Sequence, residues 1–238
     1  MKTSGLVRLS TVDFPGRLAA VVFTAGCDLD CFYCHNRPLL GADAPDMPLA
    51  DIVAFLEKRR GTLDGVVVTG GEPTLQPDLP AFLRLLRDMG YVIKLDTNGC
   101  RPDVLEDLLR GGSPALADYV AMDIKAPWAR YPDLCGCGPE QAEAVQESVS
   151  VLARLAGPAG AAWEVRTTVV PQLTGDDLAG MAASLPPVPL YALQVYRRPA
   201  VFRPEDRFRI AAAAMTPAEL EKAAERMRAF QTNVVVRA

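Results

Sequence analysis

Short apolar runs, each leading into a polar or glycine-containing turn, recur along this chain and restrict its fold more than any other feature. They are AAVVF (19–23), GVVVT (65–69), YVIKL (91–95), YVAMD (119–123), WEVRTTVV (163–170) and YALQVY (191–196), with NVVVR (233–237) closing the chain. Rich in β-branched residues and mostly without in–out alternation, they read as parallel strands covered on both faces. Helical patterns lie between them. LADIVAFLEKR puts Leu49, Ile52, Val53 and Leu56 on one face. LPAFLRLLRDMG stops at Gly90, PDVLEDLLR starts with Pro102 in its first turn, and Thr216 to Glu219 forms a capping box ahead of the last helix. Such alternation allows an open doubly wound sheet or a β/α barrel. Six strands and a terminal one fall short of eight. The expected class is therefore α/β, an incomplete (β/α)6-type TIM barrel with parallel strands, plus a C-terminal helix and strand. No repeat or linker divides the sequence, so residues 1–238 read as a single domain.

Composition narrows the function classes. A net charge of −4 argues against a general basic surface, so no nucleic-acid partner is expected. The N-terminus MKTSGLVRLSTVDFPGR has no apolar core of a signal peptide, and no segment approaches about 18 unbroken apolar residues. No membrane partner and a cytoplasmic location are expected. In a reducing compartment six cysteines are ligands, catalytic thiols or packing rather than a disulfide framework.

Polar clusters follow the strands. The first strand runs into Cys27, Cys31 and Cys34; the second into Gly70-Gly71-Glu72-Pro73; the third into Asp96-Thr97-Asn98-Gly99; the fourth into Asp123-Ile124-Lys125. Arg166 and Thr167 lie on the fifth, and Gln194, Tyr196 and Arg197 on the sixth. In either candidate fold ligands gather at the carboxyl ends of the strands, so these clusters should share one rim. Each has a plainer reading. Gly70–Pro73 and Asp96–Gly99 could be ordinary turns. Lys125 and Arg166, as long cations in a β/α core, need partners, which Asp96 and Asp123 could supply in a structural network.

The stretch GCDLDCFYCHN (26–36) holds three cysteines and the only histidine. Its C-x-x-C-H string can mean haem attachment, but Cys27 has no part in that and no second histidine exists. Structural zinc wants four ligands, typically in two pairs. Cys135 and Cys137 could supply the second pair, from a loop far away in sequence. A cubane 4Fe-4S cluster held by three thiolates fits better and leaves one iron open.

Cys27-x3-Cys31-x2-Cys34, with an aromatic before the third cysteine and GGEP after the next strand, resembles the signature of radical S-adenosylmethionine (SAM) enzymes. FPGRLAAVVFTAGC (14–27), CHN (34–36), DTNG (96–99), MDIKAP (122–127) and VRTTVVP (165–171) extend the resemblance over nearly the whole chain. They are most similar to glycyl-radical-enzyme activating enzymes, and within these to anaerobic ribonucleoside-triphosphate reductase activating proteins. No cysteine lies between Cys34 and Gly70, so the insert that carries extra clusters in some activating enzymes is expected to be absent.

The resemblance implies two cofactors, a 4Fe-4S cluster and S-adenosyl-L-methionine, an electron from a flavodoxin or ferredoxin, and hydrogen abstraction from a glycine of a glycyl-radical enzyme. It implies Cys27, Cys31 and Cys34 as cluster ligands, and these with Lys125 as the catalytic set. Gly70 and Gly71 would border the methionyl end of SAM, with Glu72 near its amino group. Asp96, Asn98, Asp123 and Lys125 match positions around SAM, Arg166 would pair with a carboxylate there, and Tyr33 would lie near the adenine. His35 would contact SAM's surroundings or hold its own loop. Two features depart from relatives. No histidine follows residue 35, where some relatives use a late one, and Cys135-Gly136-Cys137 has no transferable role, packing being the first expectation. Cys100 reads as a small buried residue. Two rivals stand beside this reading: a radical SAM enzyme acting on a small metabolite, such as a 7-carboxy-7-deazaguanine synthase, and a non-catalytic iron–sulfur or zinc module.

Overall fold

A computed structural model of the chain describes residues 1–111 and 115–237. Eight strands form one sheet whose spatial order follows the chain: β1 Thr3–Ser10, β2 Ala19–Thr24, β3 Gly65–Gly70, β4 Val92–Thr97, β5 Tyr119–Asp123, β6 Ala162–Val169, β7 Tyr191–Val195 and β8 Val234–Arg237. From β2 to β8 every neighbouring pair is parallel, and β1 alone is antiparallel, adding to the outer side of β2. Among the described residues no pairing joins β8 to β1, so the barrel stays open. The expected six-strand core and closing strand are present.

Helices α1 Leu49–Glu57, α2 Leu79–Asp88, α3 Pro102–Arg110, α4 Tyr131–Cys135, α5 Pro139–Leu155, α6 Gly175–Ala183, α7 Arg207–Ala211 and α8 Pro217–Met227 fill the connections. In α2, Leu79, Phe82, Leu83 and Leu86 are buried against the sheet, each worth roughly 1.5–3 kcal/mol. Its stop comes where expected: Gly90 takes φ 89°, a conformation that favours glycine. In α8 the capping box is made in both directions, with Thr216 N donating to Glu219 at 2.8 Å and Glu219 N donating to Thr216 at 3.3 Å.

The two faces of the sheet differ in kind. Outward residues such as Val66, Val68, Ile93, Leu95, Val120 and Val165 join the helices in the main core. The inner face carries a small apolar plug of Phe14, Ala19, Val21 and Val67, with Phe14 edge-on to Tyr119 at 6.0 Å between centroids. Beyond the plug the inner face turns polar, and that polar end is the carboxyl end of the strands. Among the described residues no helix is long and apolar enough to cross a membrane.

Candidate functional site

The cysteine loop leaves β2 and is held from below by the turn after β3. Gly71 N donates to Thr24 O at 2.9 Å and Glu72 N to Gly26 O at 2.8 Å. A Cβ on Gly71 would stand 1.9 Å from the Gly26 carbonyl oxygen, and one on Gly70, where φ is 124°, 2.2 Å from Thr24 N. The double glycine is thus demanded by the chain's own backbone: only there can the two strand ends approach so closely. Glu72 is fully buried and ties three loops together. Its Oε1 accepts from Thr74 N at 3.0 Å, Thr74 Oγ1 at 2.6 Å and Thr97 Oγ1 at 2.8 Å, and its Oε2 from Asn98 N at 2.7 Å. Burial pushes its carboxyl up to about 7 even against these bonds. Its side chain borders the site cavity, yet its acceptors are occupied by the loops.

Cys27, Cys31 and Cys34 line one cleft, together with Tyr33, His35, Gly70, Gly71, Glu72, Asp96, Asn98, Asp123, Lys125 and Arg166. Every residue predicted for the site therefore reaches the same cavity. Asn98 Nδ2 donates to Asp28 at 2.6 Å and lies 3.7 Å from the Cys27 sulfur. Burial pushes the Cys27 thiol up to about 12 and also raises Cys34. Cys31 goes the other way: it accepts a hydrogen bond from the Cys135 thiol and feels the Lys125 charge. The Asp30 N to Cys135 O bond of 2.8 Å fixes that contact. Cys135, far from the cysteine loop in sequence, packs directly on it, fully buried. Cys137 is only partly buried, its sulfur 3.7 Å from Tyr131 O. Cys100 is a buried small residue, 7% exposed.

The inner faces of β4, β5 and β6 build an ion network that reaches the same cavity. Arg166 donates from Nε to Asp123 at 2.8 Å and from Nη1 to Asp96 at 3.1 Å. Lys125 reaches Asp123 at 3.1 Å and Lys94 reaches Asp96 at 2.6 Å. Burial alone would raise the Asp123 carboxyl; Arg166 and Lys125 overcome this and hold it down at about 2. Lys94 is buried behind this network, and the charged groups that line the cavity from it are Lys125 and Arg166 against Asp96 and Asp123, a formally balanced set. Sequence reasoning missed Lys94. Its signal was a lysine inside YVIKL, two residues before Asp96 and so on the same face of the strand.

His35 lies at the rim, its Nε2 donating to Arg197 O at 2.9 Å. The Tyr33 hydroxyl is buried without a protein partner. Among the described residues no three His, Cys, Asp or Glu side chains converge as a single metal ion requires. A cubane asks for less, since each thiolate binds a different iron and need only face a shared space. Three thiols of one loop, the cations and carboxylates of the ion network and the unpartnered Tyr33 hydroxyl all belong to residues lining one cleft, and such a donor set fits a cluster whose open iron takes a co-ligand with both charged ends.

The family model described as "Radical SAM superfamily" matches residues 21–185. A Methanocaldococcus jannaschii protein named "Putative glycyl-radical enzyme activating enzyme" is 33% identical over 210 residues, which is 86% of this chain and 81% of that one. The 7-carboxy-7-deazaguanine synthase of Neisseria meningitidis serogroup B is 34% identical over 121 residues, half of each chain. Among solved structures, TYW1 with a lysine-pyruvate adduct bound superposes with a TM-score of 0.62 at 16% identity, over 90% of this chain and 74% of that one. That likeness speaks for the fold, a partial barrel. The chain belongs to the radical SAM superfamily, whose enzymes use a 4Fe-4S cluster and S-adenosylmethionine, and it is homologous to glycyl-radical enzyme activating enzymes.

Proposed function

We propose that this enzyme generates a glycyl radical on a partner enzyme, and that the partner is an anaerobic ribonucleoside-triphosphate reductase. The observation that carries the reading is the cavity shared by three thiols of a single loop and a network of paired cations and carboxylates, in a chain matched over most of its length by an activating-enzyme relative. Cys27, Cys31 and Cys34 would hold the cluster. When bound, the reduced cluster and SAM supply a primary carbon radical able to abstract hydrogen from a glycine Cα. An electron donor of the flavodoxin or ferredoxin class completes the reading.

The chain's own residues bind and orient. Arg166 and Lys125 are the cations that line the cavity, and their donors suit the methionyl carboxylate of SAM. Asp123, held ionised by those same cations, and Asp96, held by Lys94 and Arg166, are acceptors suited to the methionyl ammonium. Asn98 fixes Asp28 beside Cys27, Tyr33 brings a buried, unpartnered hydroxyl to the residues that line the cavity, and His35 fastens the loop to the segment after β7. Gly70, Gly71 and Glu72 shape the floor between the thiols and β4.

Incubation of the anaerobically reduced protein with SAM and an anaerobic ribonucleotide reductase should yield a glycyl doublet in electron paramagnetic resonance. The half-length match to 7-carboxy-7-deazaguanine synthase favours one second reading, chemistry on a small metabolite. Turnover of a small molecule with no glycyl signal would refute the first reading and support the second.

A further inference from the structure

Of residues 197–209, five are arginine, namely Arg197, Arg198, Arg203, Arg207 and Arg209, and two are acidic, Glu205 and Asp206. This segment is +3 on a chain of net charge −4, so the remainder stands at −7. It lies on the outside of the cysteine loop. His35 donates to Arg197 O at 2.9 Å, Arg203 pairs with Asp30 at 2.6 Å, and the Arg209 guanidinium sits 4.2 Å over the Phe32 ring. Arg203 and Arg209 are engaged by Asp30, Asp206 and Asp133. Arg197, Arg198 and Arg207 are exposed and have no carboxylate partner among the described residues. Arg207 lies 5.0 Å over Phe208, a ring 78% exposed, and Val201 beside them is 52% exposed. Unpaired arginines interleaved with exposed apolar side chains are the composition of a protein-binding surface.

We propose that this arginine-rich segment is the docking surface for an acidic one-electron carrier protein that reduces the cluster through the loop beneath it. The proposal rests on the radical SAM reading and adds the place where the electron enters. In that step the carrier is oxidised by one electron and the bound cluster is reduced by one; no bond forms or breaks. Two observations favour a carrier over the glycyl-radical partner. The segment touches Asp30, Phe32 and His35, which are direct chain neighbours of Cys31 and Cys34. Its contacts do not include Asp96, Asp123 or Arg166, the ion network that lines the cavity where a substrate would be presented. The charge contrast also orients the encounter: an acidic carrier is repelled by the rest of the chain and drawn to this one patch.

The test uses an R198E/R207E variant, whose changed side chains lie outside the cavity, and a recombinant flavodoxin as probe. Binding of oxidised flavodoxin to the reconstituted enzyme, measured by titration calorimetry, should weaken about ten- to a hundredfold in the variant. Wild-type binding should weaken as salt rises from about 50 to 300 mM, because screening shortens the reach of the patch. SAM cleavage driven by flavodoxin should fall in parallel, while cleavage driven by dithionite stays within about twofold of wild type. Unchanged flavodoxin affinity in the variant overturns the proposal, as does equal loss with dithionite. Intact flavodoxin binding with lost radical transfer also overturns it and assigns the patch to the glycyl-radical enzyme. Absence of cleavage by the wild type with dithionite would count against the radical SAM chemistry itself, while the binding data still decide the surface.

Discussion

Arg166 is the residue whose removal should be most informative, because among the described residues it alone bridges Asp123 and Asp96, at 2.8 and 3.1 Å. In Arg166→Met, Asp123 keeps only Lys125 and Asp96 keeps only Lys94. Removing one member of a buried ion network costs about 3–5 kcal/mol; the two remaining lysines place the expected loss near the lower end, about 3 kcal/mol at pH 7. The pH dependence gives an independent check. Asp123 is held at about 2, below the ordinary 3.8, so its contribution is present above that ordinary value and disappears as pH falls toward 2. The shift corresponds to about 2 kcal/mol at most, since the side chain is 30% exposed. The gap between wild type and Met variant should therefore narrow between pH 5 and pH 2.5, read by urea unfolding. Arg166→Lys, which keeps the charge but can reach only one carboxylate well, should fall between them. A Met variant within about 0.5 kcal/mol of wild type, or a gap that does not change with pH, would refute the bridging role.

Glu72 should give the opposite pH signature. Burial holds its carboxyl up at about 7 against an ordinary 4.5, so the folded protein binds the proton more tightly. Its contribution is fully present below about pH 4.5 and lost as pH rises through 7, a change of up to about 3 kcal/mol. Glu72→Gln should flatten that slope in unfolding experiments, while its amide opposes Asn98 N–H and costs about 1–3 kcal/mol at pH 5; parallel pH curves for the two proteins would contradict this. Gly71→Ala places a methyl group 1.9 Å from the Gly26 oxygen. It should lower the melting temperature by more than about 4 °C, corresponding to at least 1–2 kcal/mol in a domain of this size, and a smaller shift would mean that the loop can move aside. Cys135→Ala should retain iron and sulfide at wild-type levels by chemical analysis, whereas Cys31→Ala should lose them; iron loss from the Cys135 variant would make that thiol a ligand.

What the sequence disclosed follows the physics of each element. β2 to β8 were legible because strands covered by helices on one face and enclosed on the other are rich in apolar, β-branched residues, and the clusters behind them because a parallel sheet puts every carboxyl end on one rim. The edge strand β1 escaped detection because its outer side faces solvent: Val7 and Leu9 are 41% and 57% exposed, and TSGLVRLS shows neither a continuous run nor clean alternation. The same limit applies to contacts made only after the crossovers fold. Nothing local in YPDLCGCG says that Cys135 reaches Cys31, yet one backbone bond from Asp30 fixes it there, and Gly136 permits it, since a Cβ at that position would stand 2.7 Å from Asp30 O. The double glycine shows how a motif can be legible and its local cause hidden. GGEP signals the site from sequence, but only the geometry shows Gly70 and Gly71 serving the chain's own crossing strands and Glu72 serving three loops. These residues shape the cavity by holding its walls together. Substitutions in GGEP should therefore show first as lost folding stability, whereas exchanges of Lys125 at the cavity wall should show first as lost affinity for SAM.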